Sequence, residues 1–195
     1  MEQLKLSLKD WKAKDIEVYN TIIAREWDFN VSGVNWWSDT IATFISEASD
    51  KGFSIALEDV EFCGFCNQGD GASFTGSVDI VEFLKSEKKL TKYRKIVNAI
   101  KRDDIHYSCD ILRNDSRYSH KYTCFASELE YYEEKQDIES LCEEVLEMLE
   151  LERLALCDEL YNTLESAYDY LTSEEVIVDS LIANDYIFDE GGNIV

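Results

Sequence analysis

The stretch Asp59 to Ile80, DVEFCGFCNQGDGASFTGSVDI, constrains the fold of this chain more than any other. Val60, Phe62, Gly64 and Cys66 alternate with Glu61, Cys63, Phe65 and Asn67. Beyond Gln68-Gly69-Asp70-Gly71, Phe74, Gly76, Val78 and Ile80 alternate with Ser73, Thr75, Ser77 and Asp79. Period-two alternation on both sides of a glycine-rich break is the pattern of a β-hairpin, and Gly-Asp-Gly has the turn chemistry to close it. A hairpin alone is marginal in water, so the remaining chain must cover it.

Apolar spacing predicts helices on either side. Leu4, Leu6, Leu8, Trp11, Ile16, Tyr19, Ile22 and Ile23 mark a helix from Lys9 to Trp27. Trp36, Trp37, Ile41, Phe44 and Ile45 mark a second that stops at Gly52. Phe83, Leu84, Leu90, Tyr93, Ile96, Val97 and Ile100 form the stripe of a helix over Val81 to Arg102. Its other face carries Lys85, Lys88, Lys89, Lys92, Arg94, Lys95, Lys101 and Arg102, which reads as a solvated face or an internal partner for acidic residues. Ile105, Tyr107, Cys109 and Ile111, a turn at Asn114-Asp115-Ser116, and a return through Tyr122, Cys124 and Ala126 predict a second hairpin that ends by Glu134. From Gln136 to Leu171 apolar residues recur at three and four, as in one long helix or a pair broken near Leu151 to Arg153. Thr172-Ser-Glu-Glu175 opens a last helix through Ala183, and Tyr186–Phe188 with Asn193–Val195 predicts a small terminal hairpin. The expected fold class is α+β: an antiparallel four-stranded sheet from two hairpins, packed by helices, with an acidic C-terminal helical region. The expected domains are a core over 1–134 and an acidic helical region over 135–195 packed on it as one domain.

Charge is distributed unevenly. The net charge is −22, and Glu128 to Val195 carries 21 acidic residues against Lys135 and Arg153, a balance of −19. The preceding 127 residues carry 20 acids and 17 bases, a balance of −3. A field of this sign repels nucleic acid and attracts basic surfaces, so no direct nucleic-acid contact is expected. No apolar run approaches the roughly 18 residues of a membrane span, and the start Met1-Glu-Gln-Leu-Lys5 has no signal-peptide core. The expected location is therefore the cytoplasm, where the six cysteines stay reduced.

Few residues offer chemistry. Cys63-Gly-Phe-Cys66 has zinc-like spacing, with Cys109 and Cys124 as further candidates, but a strand would put Cys63 and Cys66 on opposite faces, so no metal is expected. The Gln68–Gly71 tip lacks the Gly-Lys-Ser/Thr of a phosphate loop and the oxygen ligands of a calcium loop, and no cofactor is expected. His106, His120, Asp70 and the thiols are the candidates for acid–base or nucleophilic work, and a pair such as Cys66 with His120 would need the two hairpin tips to meet.

The pattern F-x-G-F-x-x-Q-G-D-G-A-x-F-x-G, spanning Phe62 to Gly76, resembles a motif of a family of small, uncharacterised tailed-phage proteins. Tyr118-Ser119-His120 resembles that family's short Tyr/His turn. Tyr168 to Val176 and Ile182 to Gly191 resemble its C-terminal ending. The resemblance runs from about Trp36 to the C-terminus. It implies a protein acting in the cytoplasm of an infected bacterium and supplies no activity.

Three readings of function follow. In the first, the protein is a non-catalytic, DNA-mimic-like inhibitor that blocks the basic nucleic-acid cleft of a host or anti-phage defence protein. Its binding face would be Glu139, Glu143, Glu144, Glu147, Glu150, Asp158, Glu159, Glu165 and Asp169. Like charges at helical spacing cost stability, which is tolerated where the negative surface is used. In the second, it is a small enzyme or ligand-binding protein with a site of Gln68, Asp70, Tyr118 and His120 between the hairpin tips. In the third, it is a self-assembling structural protein, a homo-oligomer in which the basic Lys85–Arg102 face of one copy meets the acidic arm of another.

Overall fold

The computed structural model describes residues 4–102, 105–106, 108–114, 117–129 and 136–195, without the side chains of Gln136 and Asp137. In chain order the elements are β1 (Leu6–Ser7), α1 (Leu8–Lys14), α2 (Ile16–Arg25), α3 (Ser38–Asp50), β2 (Phe53–Ser54), β3 (Val60–Cys63), β4 (Gly71–Phe74), β5 (Gly76–Asp79), α4 (Ile80–Ser86), α5 (Arg94–Ile100), β6 (Ser108–Arg113), β7 (Cys124–Ala126), α6 (Gln136–Leu171), α7 (Glu174–Ala183) and β8 (Ile187–Phe188). The fold class is α+β, with antiparallel sheets of which one is four-stranded. Spatial contact groups the chain into two compact units, Met1–Ser38 with Glu165–Val195, and Asp39–Leu164. The 1–134 and 135–195 division, by contrast, follows composition.

The smaller unit is built on a core of Leu8, Trp11, Tyr19, Ile22, Ile177, Leu181 and Phe188. The Trp11 indole N–H donates to the Phe188 carbonyl at 3.0 Å, so the largest core side chain leaves no orphaned donor. The helix expected over Lys9 to Trp27 is two. Asp15 takes extended backbone and its carboxylate accepts from the N–H groups of Glu17 and Val18, capping α2 where a continuous helix would have run through. The terminal hairpin forms as a short antiparallel pairing of Phe188 with Ile194, with the Val195 N–H donating to the Ile187 carbonyl and the Asp189 N–H to the Asn193 carbonyl (both 3.0 Å), and β8 also pairs with β1, Leu6 opposite Phe188.

In the larger unit the strand order is β2-β5-β6-β7, and β3 pairs with β4 as a separate two-stranded ribbon. The four strands of the sheet are thus not the four arms of two hairpins. The second arm of the first hairpin changes partner at Thr75. Its N–H and hydroxyl both bond Asp59, closing the ribbon (3.0 and 3.2 Å). Gly76 then turns at φ 148°, so close to the Ser54 carbonyl that a Cβ would stand 2.3 Å from its oxygen, and β5 joins β2 and β6. The first arm ends at Cys63, three residues short of the expected Cys66. Asp70 explains this: its Oδ2 accepts from the N–H groups of Cys66 (2.8 Å) and Asn67 (2.6 Å), bending the chain into a loop.

The second hairpin forms as β6 and β7, with Leu112 opposite Phe125 and Arg113 opposite Cys124. Its Tyr107, Asp115-Ser116 and 130–134 positions lie outside the described residues, as do the first three residues of the chain. The helix expected over Val81 to Arg102 is α4 and α5: Lys88, at φ 58°, ends α4, and the Lys89 N–H donates to the Leu84 carbonyl. Between Gln136 and Leu171 there is one helix with no break at Leu151–Arg153. Its Val145, Leu149, Leu156, Leu160 and Leu164 are buried, and Glu150 and Arg153 reach β7, so α6 crosses the inner face of the sheet's last strand. Phe44, Phe53, Phe74 and Phe83 form a chain of ring contacts, 5.7 to 6.2 Å between centroids, through the core of this unit. Among the described residues no helix is long and apolar enough to cross a membrane.

Candidate functional site

The tips of the two hairpins meet. Gly71, at the start of β4, lies against the 118–123 turn so closely that a Cβ would stand 2.4 Å from the His120 Cβ and 2.8 Å from its Cα. No residue other than glycine fits that approach. Thr123 holds the turn from the other side. It is buried, its hydroxyl donates to the His120 carbonyl at 2.7 Å, and it lies 3.4 Å from the buried Ser73 hydroxyl of β4. Outside, Glu61 of β3 accepts from Ser119 Oγ (3.1 Å) and from Arg113 Nη1 (2.6 Å).

The meeting borders a cavity of about 440 Å³ that is open to solvent on one side. Gln68, Gly69, Asp70, Gly71 and Ala72 line it from the first hairpin, His120, Lys121 and Tyr122 from the second, and Cys157, Asp158 and Tyr161 from α6. Three of the four residues expected in a tip site, Gln68, Asp70 and His120, therefore share one cavity wall. Tyr118 is exposed on the rim, its ring stacked with His120 at 6.3 Å and its Cδ1 3.4 Å from where a Gly69 Cβ would be. Tyr161 makes a tilted contact with Phe65 at 5.6 Å, which braces the first tip on α6.

The polar groups of the wall have defined roles. His120 Nδ1 accepts from the Tyr122 N–H at 3.2 Å, so the neutral ring carries its hydrogen on Nε2 and offers a donor. Lys121 Nζ pairs with Asp158 at 2.6 Å, and the hydrogen bond from that carboxylate holds the ammonium above its usual pKa. Asp70 gives one oxygen to the loop. Two carboxylates against one ammonium leave the wall with an excess of negative charge. Cys66, weighed in sequence as a partner for His120, is exposed and does not line the cavity. Cys157, which does, stands on α6 among leucines and acids, four residues after Arg153.

The carboxylates of α6 divide. Glu144 bonds Lys92 Nζ (2.8 Å) and the Tyr93 hydroxyl (3.0 Å), and its pKa is lowered chiefly by Lys92. Glu150 is bound by Arg153 and Asp158 by Lys121. Glu139, Glu143, Glu147 and Glu159 are exposed. Glu165 and Asp169 belong to the smaller unit. Lys92 shows one cation of the basic Val81–Arg102 stretch serving as internal partner to the acidic helix. Among the described residues no three His, Cys, Asp or Glu side chains are grouped to hold a metal ion.

Comparison with known proteins finds one family. No curated protein and no solved structure matches the chain. The family model for DUF8835, a domain of unknown function, matches residues 36–174, a span that holds both hairpin tips and every residue of the cavity wall. Since that span is more than half of the 195 residues, the chain belongs to the DUF8835 family.

Proposed function

We propose that this protein binds a small planar ligand, neutral or singly cationic, in the cavity between the two hairpin tips. The observation that carries this reading is the docking of His120 onto Gly71, which closes two distant turns around one 440 Å³ space. Tyr122 and Tyr161 supply flat apolar surface, while His120 Nε2–H, Gln68 and Asp70 supply donors and acceptors at the wall, the usual composition of a small-ligand site. The excess of carboxylate over ammonium disfavours phosphates and other anions. With Nδ1 engaged by backbone, neutral His120 is a donor and not a base, so the reading assigns recognition and no acid–base step.

A ligand screen read by thermal shift and by chemical-shift changes at the tips tests it. Neutral or cationic ring compounds are expected to bind, and His120→Gln and Tyr122→Leu to weaken them by about tenfold each, the size of one lost hydrogen bond or stacking contact. Binders that are anionic, or that ignore both substitutions, would overturn the assignment.

The exposed, turn-spaced Glu139, Glu143 and Glu147 favour a second reading, in which this is a phage-encoded protein of the infected cell's cytoplasm whose acidic face blocks a basic nucleic-acid cleft. Engagement of Glu144, Glu150 and Asp158 within the fold narrows that face. The expected result is capture of a nucleic-acid-binding protein at low salt, released at high salt and abolished by Glu143→Lys with Glu147→Lys. Capture that survives the double reversal would remove the reading.

A further inference from the structure

Behind the cavity lies a cluster that ligand recognition does not use. Arg153, the one basic residue of α6, is only 1% exposed. Its Nε and Nη2 donate to the two carboxylate oxygens of Glu150, and its Nη1 donates to the Lys121 carbonyl at 2.7 Å. The same Nη1 reaches the sulfur of Cys124 at 3.1 Å and that of Cys157 at 3.8 Å. One guanidinium nitrogen thus reaches both sulfurs, and the neighbouring Cys157 thiol together with the Arg153 charge lowers the Cys124 pKa. The two cysteines come from β7 and from α6 and are 2% and 1% exposed, yet Cys157 faces the cavity.

This pair differs from the other buried thiols. Burial alone pushes Cys142 up to about 11, and burial likewise raises Cys109. At Cys124 the neighbouring Cys157 thiol, with the Arg153 charge, outweighs burial and lowers the pKa. A guanidinium against two sulfurs favours one shared thiolate, the reactive form of cysteine, where an apolar pocket would favour two inert thiols.

We propose that Cys124 and Cys157 form a peroxide-reactive dithiol site, in which a small hydroperoxide entering the cavity oxidises Cys157 and Cys124 then closes a disulfide. Hydrogen peroxide, little larger than water, is the simplest substrate. The Cys157 proton passes to Cys124, and the Cys157 thiolate attacks one peroxide oxygen: an S–O bond forms, the O–O bond breaks and hydroxide leaves. That hydroxide takes the Cys124 proton and departs as water. The Cys124 thiolate attacks the Cys157 sulfenic sulfur, an S–S bond forms, the S–O bond breaks and a second hydroxide leaves. Each sulfur has lost one electron and each peroxide oxygen has gained one. Arg153 holds the anion through both displacements as a positioning residue.

The inference stands apart from the identity of any ligand, since oxidation and ligand binding are read separately. The test treats the full-length protein with hydrogen peroxide, blocks remaining thiols with N-ethylmaleimide, and maps non-reduced peptides by mass spectrometry. The expected product is a Cys124–Cys157 cross-link lighter by two hydrogens and reversed by dithiothreitol, with titratable thiols falling from six to four. Arg153→Lys is expected to slow the cross-link by about tenfold, because a lysine cannot donate to both Glu150 and the sulfurs. Cys124→Ser should leave Cys157 to run on to sulfinic acid. Oxidation confined to exposed Cys66 and half-buried Cys63 of the wild-type protein, with the 124–157 pair still reduced, would overturn the proposal without any variant having to fold.

Discussion

Arg153→Met is expected to lower the unfolding free energy of the larger unit by roughly 3 to 5 kcal/mol, the range seen when one partner of a buried ion pair is removed. Methionine approximates the volume, so the loss is electrostatic and not a cavity. Left behind are the Glu150 carboxylate and the Lys121 carbonyl, each of which now accepts from the guanidinium. Glu150 keeps 36% of its side-chain exposure and can recover some water, which places the effect toward the lower end. Chemical denaturation measures it, and the acid branch identifies its source. Burial pushes the Glu150 carboxyl up, but Arg153 and the Ala126 N–H pull it down further, so its folded pKa lies below the unfolded one. Stability from a depressed carboxyl is present above the unfolded pKa and is lost as pH falls through the folded value. The wild-type protein should show that loss in acid. Arg153→Met should start lower and lose less, and adding Glu150→Leu should return part of the deficit, since an apolar pair can replace a buried ionic one. An Arg153→Met protein as stable as wild type would mean that the cluster carries no weight in the fold.

Gly71→Ala is expected to have the other large effect, and on function more than on stability. The added methyl would have to stand 2.4 Å from the His120 Cβ, which is impossible without moving the 118–123 turn off β4. Overpacking of this kind costs roughly 1 to 3 kcal/mol, within what a domain of this size can survive. The cavity would not survive, because that turn carries His120, Lys121 and Tyr122, three of its eleven lining residues. A folded Gly71→Ala protein that has lost ligand binding, with His120 and Tyr122 resonances shifted, is the expected outcome. Retained binding would show that the tips are not required to meet.

How much of this could be read beforehand varies from residue to residue. The helical stripes and the two alternating runs name the α+β class, because periodicity of burial is a local property. The change of partner at Thr75 is not local. Ser73 to Ile80 alternates without interruption, and only the Asp59 bonds and the Ser54 carbonyl make residues 71–74 and 76–79 serve different sheets. Capping chemistry decided the helix breaks at Asp15 and Lys88, both of which sit inside unbroken apolar patterns. Gln68, Asp70 and His120 could be named from turn chemistry, although that they line one cavity depends on long-range packing. Arg153 and Cys157 left one faint trace: a single arginine in a helix otherwise of leucine and acid, three residues after Glu150 and four before Cys157, the spacing at which side chains share a helix face.

The contact between Ser73 and Thr123 joins residues 50 apart in sequence. A site closed by such a contact has no precursor in any local segment. During folding the ribbon and the 118–123 turn can each form early, while the space between them comes into being only when the long loop closes, a step slowed by its entropy. A ligand bound there, as proposed, would therefore recognise the native state alone. It would act as a clasp on a finished molecule, raising the melting temperature in proportion to the logarithm of its concentration and slowing unfolding more than it speeds folding.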